Sequence, residues 1–398
     1  MRPNAKPKIL INATTLVMGG GVQIGISFVQ HTASPPNDEL DLLFALSRQI
    51  YDALSREIRE DKRVRVIDAS PARFITGRYS RRRLREMESE FQPDIVYTLG
   101  LPSYVNFRSP EVGRYTNHWG ILPSAIAWSS IPLPERIPHW LRTRYRLFWV
   151  SRAAYFETQT DAAKIGIMKK LKVPQERVIV IPNVPNPVFI IAGADGNRRP
   201  KESAAVEIFC LAAAYRHKNL AIIPRVARIL RDMRPETAFR FTLTIPQEGR
   251  MFLEIVEDSR RLGVLDMIAN SGPLRMPECV ERYRASDILF MPTLLETFSV
   301  TYLEAMAMSV PIVAADLDFA RSICGDAANF YEPLSPQAAA DAILGVAEDA
   351  VLRDRLIGNG KARLEQFPDP EKKHRMVLDW LAEIARATKL AEPAGLRQ

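Results

Sequence analysis

"DILFMPTLLETFSVTYLEAMAMSVPIVAAD" spans residues 287–316 and reads as strand, loop, helix and strand. "DILFMPT" is short and apolar, as a strand buried on both faces should be. Ser299 stands where an N-cap is expected, ahead of Val300, Leu303 and Met306 at helical spacing. "PIVAAD" is a second buried strand. Two carboxylates, Glu296 and Glu304, bracket seven residues inside this apolar stretch. A buried carboxylate is costly unless something pairs with it or it meets a ligand. Glu296 falls in the loop, and Glu304 about one turn inside the helix. Between them lie the free amides of a helix N-terminus, which suit an anion. A diphosphate docked there would leave the carboxylates to accept hydroxyls, such as those of a sugar and a ribose. A surface loop acid plus an acid favoured by the helix dipole is the plainer reading, and spacing leaves both open.

The same alternation runs outward through the chain. "KILINATT" (8–15), "DLLFALS" (41–47), "VRVIDAS" (64–70), "DIVYTLG" (94–100), "RYTNHWG" (114–120), "YFETQT" (155–160) and "RVIVIPN" (177–183) are strand candidates with mostly helical patterns between them. A second series holds "VEIFCLAA" (206–213), "FRFTLTI" (239–245), "MIANSGP" (267–273), "DILFMPT", "PIVAAD" and "AANFYEP" (327–333). Strands alternating with helices imply βαβ units and parallel sheets, hence an α/β protein with two doubly wound Rossmann-like domains. The expected limits are an N-terminal domain over 1–185, a Pro/Gly-rich and then charged linker over 186–203, and a C-terminal domain over 204–370. The helical stretch 371–390 completes one domain or the other, and periodicity does not choose. Ligands in such sheets sit beyond the carboxyl ends of the strands, so the cleft between the domains is the natural site.

Length and composition agree with this. A chain of 398 residues, 47% apolar and 25% charged, fits two globular domains. No apolar run is long enough to span a membrane, and "MRPNAKPKILINATT" lacks a signal-peptide core, so a cytoplasmic protein is expected. Cys210, Cys279 and Cys324 are widely spaced in apolar surroundings, which suits reduced core thiols. Residues 1–185 carry 27 Lys+Arg against 17 Asp+Glu, whereas the whole chain is only +8. Such asymmetry is a statement about a partner of the first half, or a solvated basic face. "HWLRTRYRLFWVSR" (139–152) interleaves Arg142, Arg144 and Arg146 with Trp140, Leu141, Leu147, Phe148 and Trp149, which suits an interfacial helix. "RFITGRYSRRRLREME" (73–88) is a second basic stretch. No recognised nucleic-acid module appears, so nucleic acid is not an expected partner.

Other candidate residues also follow strands. "AAAYRHKNL" (212–220) places Arg216 and Lys218 after one strand, which by itself reads as a basic loop capping the following helix. Gly19, Gly20 and Gly21 follow the first strand without forming a dinucleotide fingerprint, so a phosphate loop and a flexible turn are both open. His118 ends "RYTNHWG". Asp316 and Asp318 in "DLD" are read as loop acids, and no metal set is evident.

The span from "PTLLETFSVTYLE" through "GDAANFYEP" resembles the donor-binding signature of glycosyltransferase family 4, the retaining "group 1" enzymes of the GT-B fold. The resemblance implies that Glu296 contacts the transferred sugar and Glu304 the ribose. The amides near Phe298, Ser299 and Val300 would take the diphosphate, and backbone near Thr244 and Leu274 the base. It implies a nucleotide-sugar co-substrate, UDP- or GDP-linked, with no other cofactor and no metal. A glycan or lipid-linked acceptor would be served by the N-terminal domain, with Gly19–Gly21 facing it and His118 near the sugar. A lipopolysaccharide or polysaccharide setting at the inner membrane face fits the basic first half. The chain departs from the family pattern at Thr297 and Ser299, where glycines are common, and at Ser309, usually Gly. "AAAYRHKNL" looks like the family segment whose Arg and Lys neutralise the leaving diphosphate, with Lys218 at the Lys place, Ala213 where the Arg is usual and Arg216 as its expected replacement. A sugar-nucleotide epimerase and a non-catalytic nucleotide-binding protein are the competing readings.

Overall fold

The structure is a computed structural model that describes residues 6–33, 39–122, 124–196 and 204–391. The chain divides into two compact units. The first comprises the described residues of Met1–Ile121, Pro138–Pro182 and Glu371–Gln398, and the second Leu122–Ile137 and Asn183–Pro370. Residues 122–137 therefore group with the second unit, not with the N-terminal domain that the sequence suggested.

The first unit is built on β1 (Lys8–Ala13), β2 (Asp41–Ser47), β3 (Val64–Ile67), β4 (Ile95–Thr98), β5 (Glu111–Arg114), β6 (Tyr155–Thr158) and β7 (Val178–Val180). They form one parallel sheet in the order β3-β2-β1-β4-β5-β6-β7. Strand side chains alternate between faces, so Ile9 and Ile11 enter one apolar cluster and Leu10 the other. Both faces are covered, which is why these strands read as continuous apolar runs. The C-terminal helix Pro370–Ala391 supplies Val377, Leu381 and Ala385 to the same core as β1 and β2. It completes the first unit.

One strand differs from its expected place. β5 covers 111–114, and the chain leaves the sheet just where "RYTNHWG" was expected to form it. Glu111 and Gly113 are poor strand formers on paper. Glu111 is nevertheless buried and accepts a 2.6 Å hydrogen bond from the Thr98 hydroxyl. His118 consequently opens the short helix His118–Ile121 instead of ending a strand.

The second unit holds β8 (Val206–Cys210), β9 (Phe239–Leu243), β10 (Ile268–Asn270), β11 (Ile288–Met291), β12 (Ile312–Ala315) and β13 (Ala328–Tyr331). These are parallel in the order β10-β9-β8-β11-β12-β13. Ile208 and Cys210 face one core, Phe209 the other.

The expected linker also needs correcting. Asn186 Oδ1 caps the helix Pro187–Ala194 by accepting from the Val188 amide at 3.1 Å, and Pro187 takes the first helical position. Phe189 of that helix is fully buried in the second unit's core, and the Ala307 carbonyl leaves no room for a Cβ at Gly193. The early part of 186–203 is therefore packed structure, and residues 197–203 lie outside the described residues. Among the described residues no helix is long and apolar enough to cross a membrane.

Candidate active site

In a sheet of this order the chain reverses direction of progress between β8 and β11, so the loops after these two strands open side by side. The first carries Arg216 and Lys218, the second Glu296. The Leu294 amide donates to the His217 carbonyl at 2.7 Å, and the Thr293 hydroxyl donates to the same oxygen at 3.3 Å. The two loops are thus tied through backbone. His217 is buried and its ring stacks on Tyr215 with centroids 5.5 Å apart. Asn219 ends the turn at φ 53°, a left-handed conformation that asparagine tolerates.

From this frame Lys218 Nζ donates to Glu296 Oε1. Only 13% and 10% of the two side chains is exposed, so each charge is largely withdrawn from water and compensated by the other. The acid that seemed stranded beside the core has its partner 78 residues away.

Arg216 turns elsewhere. Arg216–Lys218 is a 3-10 turn, in which successive side chains rotate by about 120°, so its first and third residues diverge. The Arg216 guanidinium makes a bidentate pair with Glu254 on the helix Arg250–Arg261, at 2.6 and 3.2 Å. Arg250 adds a 2.9 Å bond to the same carboxylate. Arg216 first, and Arg250 with it, hold the Glu254 carboxyl below its ordinary range.

Ser299 caps the helix Val300–Ala307 with extended backbone, but its hydroxyl makes no capping bond. The amides of the first turn are left to another acceptor. Phe298 and Ser299 are buried and Val300 is half-buried, and the Phe298 ring meets Phe367 edge-on at 5.9 Å. Glu304, one turn on, is buried. The Tyr283 hydroxyl donates to its Oε2 at 3.2 Å. Burial pushes the Glu304 carboxyl up to about 7, and the tyrosine bond offsets only part of that. Thr244, just after β9, has its hydroxyl 3.2 Å from the Ala212 amide, from which it accepts. Leu274, half-buried after β10, packs against the apolar cluster that includes Tyr283.

Ser309 proves to belong to the other end of this helix. It adopts φ 56° as the chain leaves the helix, and the next amide, Val310, donates back to Ala305 at 2.9 Å. A glycine is preferred there for its left-handed backbone, far from the N-terminal amides.

The remaining candidates lie in the first unit. Gly19 has φ 62° and Gly20 opens the helix Gly20–Ala33, both with open space where a side chain would be. Gly21 rests on Leu16. His118 is half-buried with its ring 6.3 Å from that of Trp119. Sequence reasoning missed Glu254, Tyr283 and the His217 carbonyl, since each acts through a fold contact that no local spacing announces. Among the described residues no three His, Cys, Asp or Glu side chains gather in a way that could hold a metal ion.

The two parallel sheets and their connections make the fold that of the GT-B glycosyltransferases. A lipopolysaccharide-biosynthesis glycosyltransferase, WaaG, superposes with a TM-score of 0.67 at 13% identity, covering 94% of this chain and 99% of its own. HepE from Anabaena, solved in complex with UDP and glucose, gives 0.65 at 15% identity, covering 95% and 100%. More specifically, residues 197–363 match the family model of glycosyl transferases group 1. Among curated proteins, the D-inositol 3-phosphate glycosyltransferase of Paenarthrobacter aurescens (strain TC1) is 26% identical over 154 residues. That match spans 38% of each chain, well under two thirds of the relative's length.

Proposed function

We propose that the protein is a retaining, metal-independent glycosyltransferase that moves a sugar from a nucleotide-sugar donor to a glycan or lipid-linked acceptor. The observation that carries this reading is the Lys218–Glu296 pair at the second unit's switch point, beside uncapped helix amides and buried Glu304. The amides of the Val300–Ala307 helix and Lys218 would hold the diphosphate. Glu296, freed from Lys218 as the diphosphate takes the ammonium, would accept hydroxyls of the sugar. Glu304 would accept the ribose hydroxyls, and backbone near Thr244 and Leu274 would meet the base.

In the reaction the acceptor oxygen bonds to the anomeric carbon as the bond from that carbon to the leaving phosphate oxygen breaks. The acceptor proton passes to the leaving phosphate on the same face, so configuration is kept. Lys218 stabilises the charge arriving on that phosphate. Gly19–Gly21 and His118 are assigned to the acceptor-side unit. HepE's bound UDP and glucose support the donor class, and WaaG's lipopolysaccharide role supports a surface-glycan setting.

Membrane association belongs to the same proposal. On the helix Leu133–Val150 only Val150 is fully buried, while Leu141, Tyr145 and Phe148, in the part that belongs to the first unit, are each more than half exposed. Spaced by three and four, they make one apolar stripe among arginines, suited to the cytoplasmic face of an anionic bilayer. Vesicle co-sedimentation at low salt tests this. Retention of the wild type and loss on replacing Leu141 and Phe148 by Ser supports it, and equal sedimentation of both contradicts it.

A non-catalytic nucleotide binder is the second reading, favoured by Ala213 at the usual Arg place and by the engagement of Arg216 with Glu254. A thermal-shift panel of UDP-, GDP- and ADP-sugars, followed by assay of nucleoside diphosphate release, separates the two. Stabilisation by a donor that is never turned over, with any acceptor extract, would establish the binder.

A further inference from the structure

The helix Pro370–Ala391 begins where the chain passes from the second unit to the first, at Pro370 and Glu371. Its later turns are held by apolar packing through Val377, Leu381 and Ala385. Its start is held differently, for two bases, Lys373 and His374, are half-buried there.

The protons at this contact can be placed. The Thr32 hydroxyl donates its one hydrogen to the Phe28 carbonyl at 2.5 Å, so toward His374 Nε2, 3.3 Å away, it can only accept. His374 therefore carries its hydrogen on Nε2. His31 Nδ1 lies 2.7 Å from the Ser27 carbonyl, which only accepts, so His31 carries its hydrogen on Nδ1. Each neutral ring thus has its single N–H engaged. The two rings are 5.7 Å apart, and the His374 ring meets that of Phe28 edge-on at 5.3 Å.

A further proton on each ring sets like charges side by side, and the surroundings do not answer them. At the helix start Glu371 is engaged by Arg375 at 2.9 Å, Asp369 has a partner, and Lys372 and Lys373 add positive charge. Asp379 is exposed and lies about 140° round the helix from His374. The helix Gly20–Ala33 carries no acid, and at its end Arg63, paired with Asp61, donates to the Ala33 carbonyl. From the sheet, Glu157 is paired with Arg114 and accepts from the Tyr97 hydroxyl. Further along, Arg386 engages Glu39. His31 sits in the last turn of its helix, where the dipole favours a cation, and His374 near the start of its own, where the dipole opposes one. Burial, with His31 and Lys373 adding to it, pushes the His374 imidazole down to about 4. Burial and the Arg114 charge push the Lys373 ammonium down to about 7.

We propose that the start of the C-terminal helix is an acid-operated latch: His374 docks it on Thr32 and Phe28 while both imidazoles are neutral, and it lets go as they take up protons, adding that turn to the chain that connects the two units. The docked His374 takes its proton only near pH 4, and the released ring already near 6.5, so docking is complete above 6.5 and weakens about tenfold per pH unit as pH falls toward 4.

Hydrogen–deuterium exchange of the whole chain at pH 7 and pH 5, corrected for the intrinsic pH dependence of exchange, tests this on the wild type, His374→Gln and His31→Gln. Wild-type amides of residues 374–378 should open about tenfold more at pH 5, while those of residues 382–390 keep their protection. His374→Gln retains an N–H for Thr32 and takes no proton, so its protection should change by less than about threefold. His31→Gln should show a smaller loss than the wild type. Equal wild-type protection at both pH values overturns the latch, and so does an equal loss in His374→Gln. If His374→Gln is already unprotected at pH 7, an NMR titration of the His374 ring decides. A wild-type value well below the ordinary one, rising in His31→Gln, supports the latch, and an ordinary value overturns it.

Discussion

Lys218 Nζ and Glu296 Oε1 are hydrogen-bonded across the two loops that flank the second unit's switch point. Neither charge is free to stay in its setting without the other or a ligand in its stead. The pair is therefore both a structural element and a preformed pocket for opposite charges. A diphosphate would take the lysine, and sugar hydroxyls the glutamate.

Lys218→Met should strip Glu296 of its counter-charge and lower unfolding stability by about 3 kcal/mol. The double variant Lys218→Met/Glu296→Leu should recover most of that loss, because two apolar side chains replace a compensated pair. Denaturant unfolding of the two variants and the wild type measures this. A double variant less stable than the single would refute the coupling.

Arg216 is predicted to brace its turn through Glu254 more than to contact the diphosphate. Arg216→Ala should reduce turnover by less than about tenfold, and its stability cost should stay near 1 kcal/mol, as for a part-exposed pair. The charge-exchanged Arg216→Glu/Glu254→Arg protein should regain activity lost in Arg216→Glu alone. If the exchange fails to restore turnover while folding normally, the guanidinium itself meets the donor.

Glu304 predicts a pH dependence of definite sign. Its carboxyl is raised from 4.5 to about 7 in the folded chain. Between those values the folded state holds a proton that the unfolded state has lost, so stability falls as pH rises. This contribution is complete below about 4.5 and gone above about 7, amounting to about 3 kcal/mol at most. Glu111, also raised to about 7, acts in the same direction. Glu304→Gln should therefore flatten part of the slope of melting temperature between pH 5 and 8. Nucleotide-sugar affinity of the wild type should rise over the same interval, because only the ionised carboxylate accepts two hydroxyls. Affinity independent of pH would remove Glu304 from ribose binding.

Ser309→Gly should raise stability by about 1 kcal/mol without changing turnover, since φ 56° suits glycine and the position lies away from the helix amides. Thermal unfolding and a donor assay on the same preparation decide it. A changed donor KM would show that the residue reaches the phosphate site after all.

The parts of this architecture that the sequence made legible are those written in local pattern. β2 and β11 lie within their quoted apolar runs, and Ser299 does stand at the helix N-cap. Where a tertiary contact decides, pattern gave no warning. Glu111 hid β5 because a strand glutamate is acceptable only with Thr98 beside it. The helix 187–194 was lost among prolines, although Asn186-Pro187 is itself a helix-start signal. Glu296 and Glu304 were recognisable as a pair, yet their partners Lys218 and Tyr283 come from other βα loops and helices. Arg216 and Lys218 looked alike as neighbours in sequence, and the tight turn separates their directions.

The most direct test of the central claim is nucleoside diphosphate release from a panel of nucleotide sugars, with acceptor extract, by the wild type and by folded Lys218→Met. The account predicts release by the wild type with one donor class, retention of the sugar's anomeric configuration in the product, and a loss of more than about a hundredfold in the variant, the scale of one electrostatic catalytic group. Equal rates in the two proteins, or a product of inverted configuration, would contradict it.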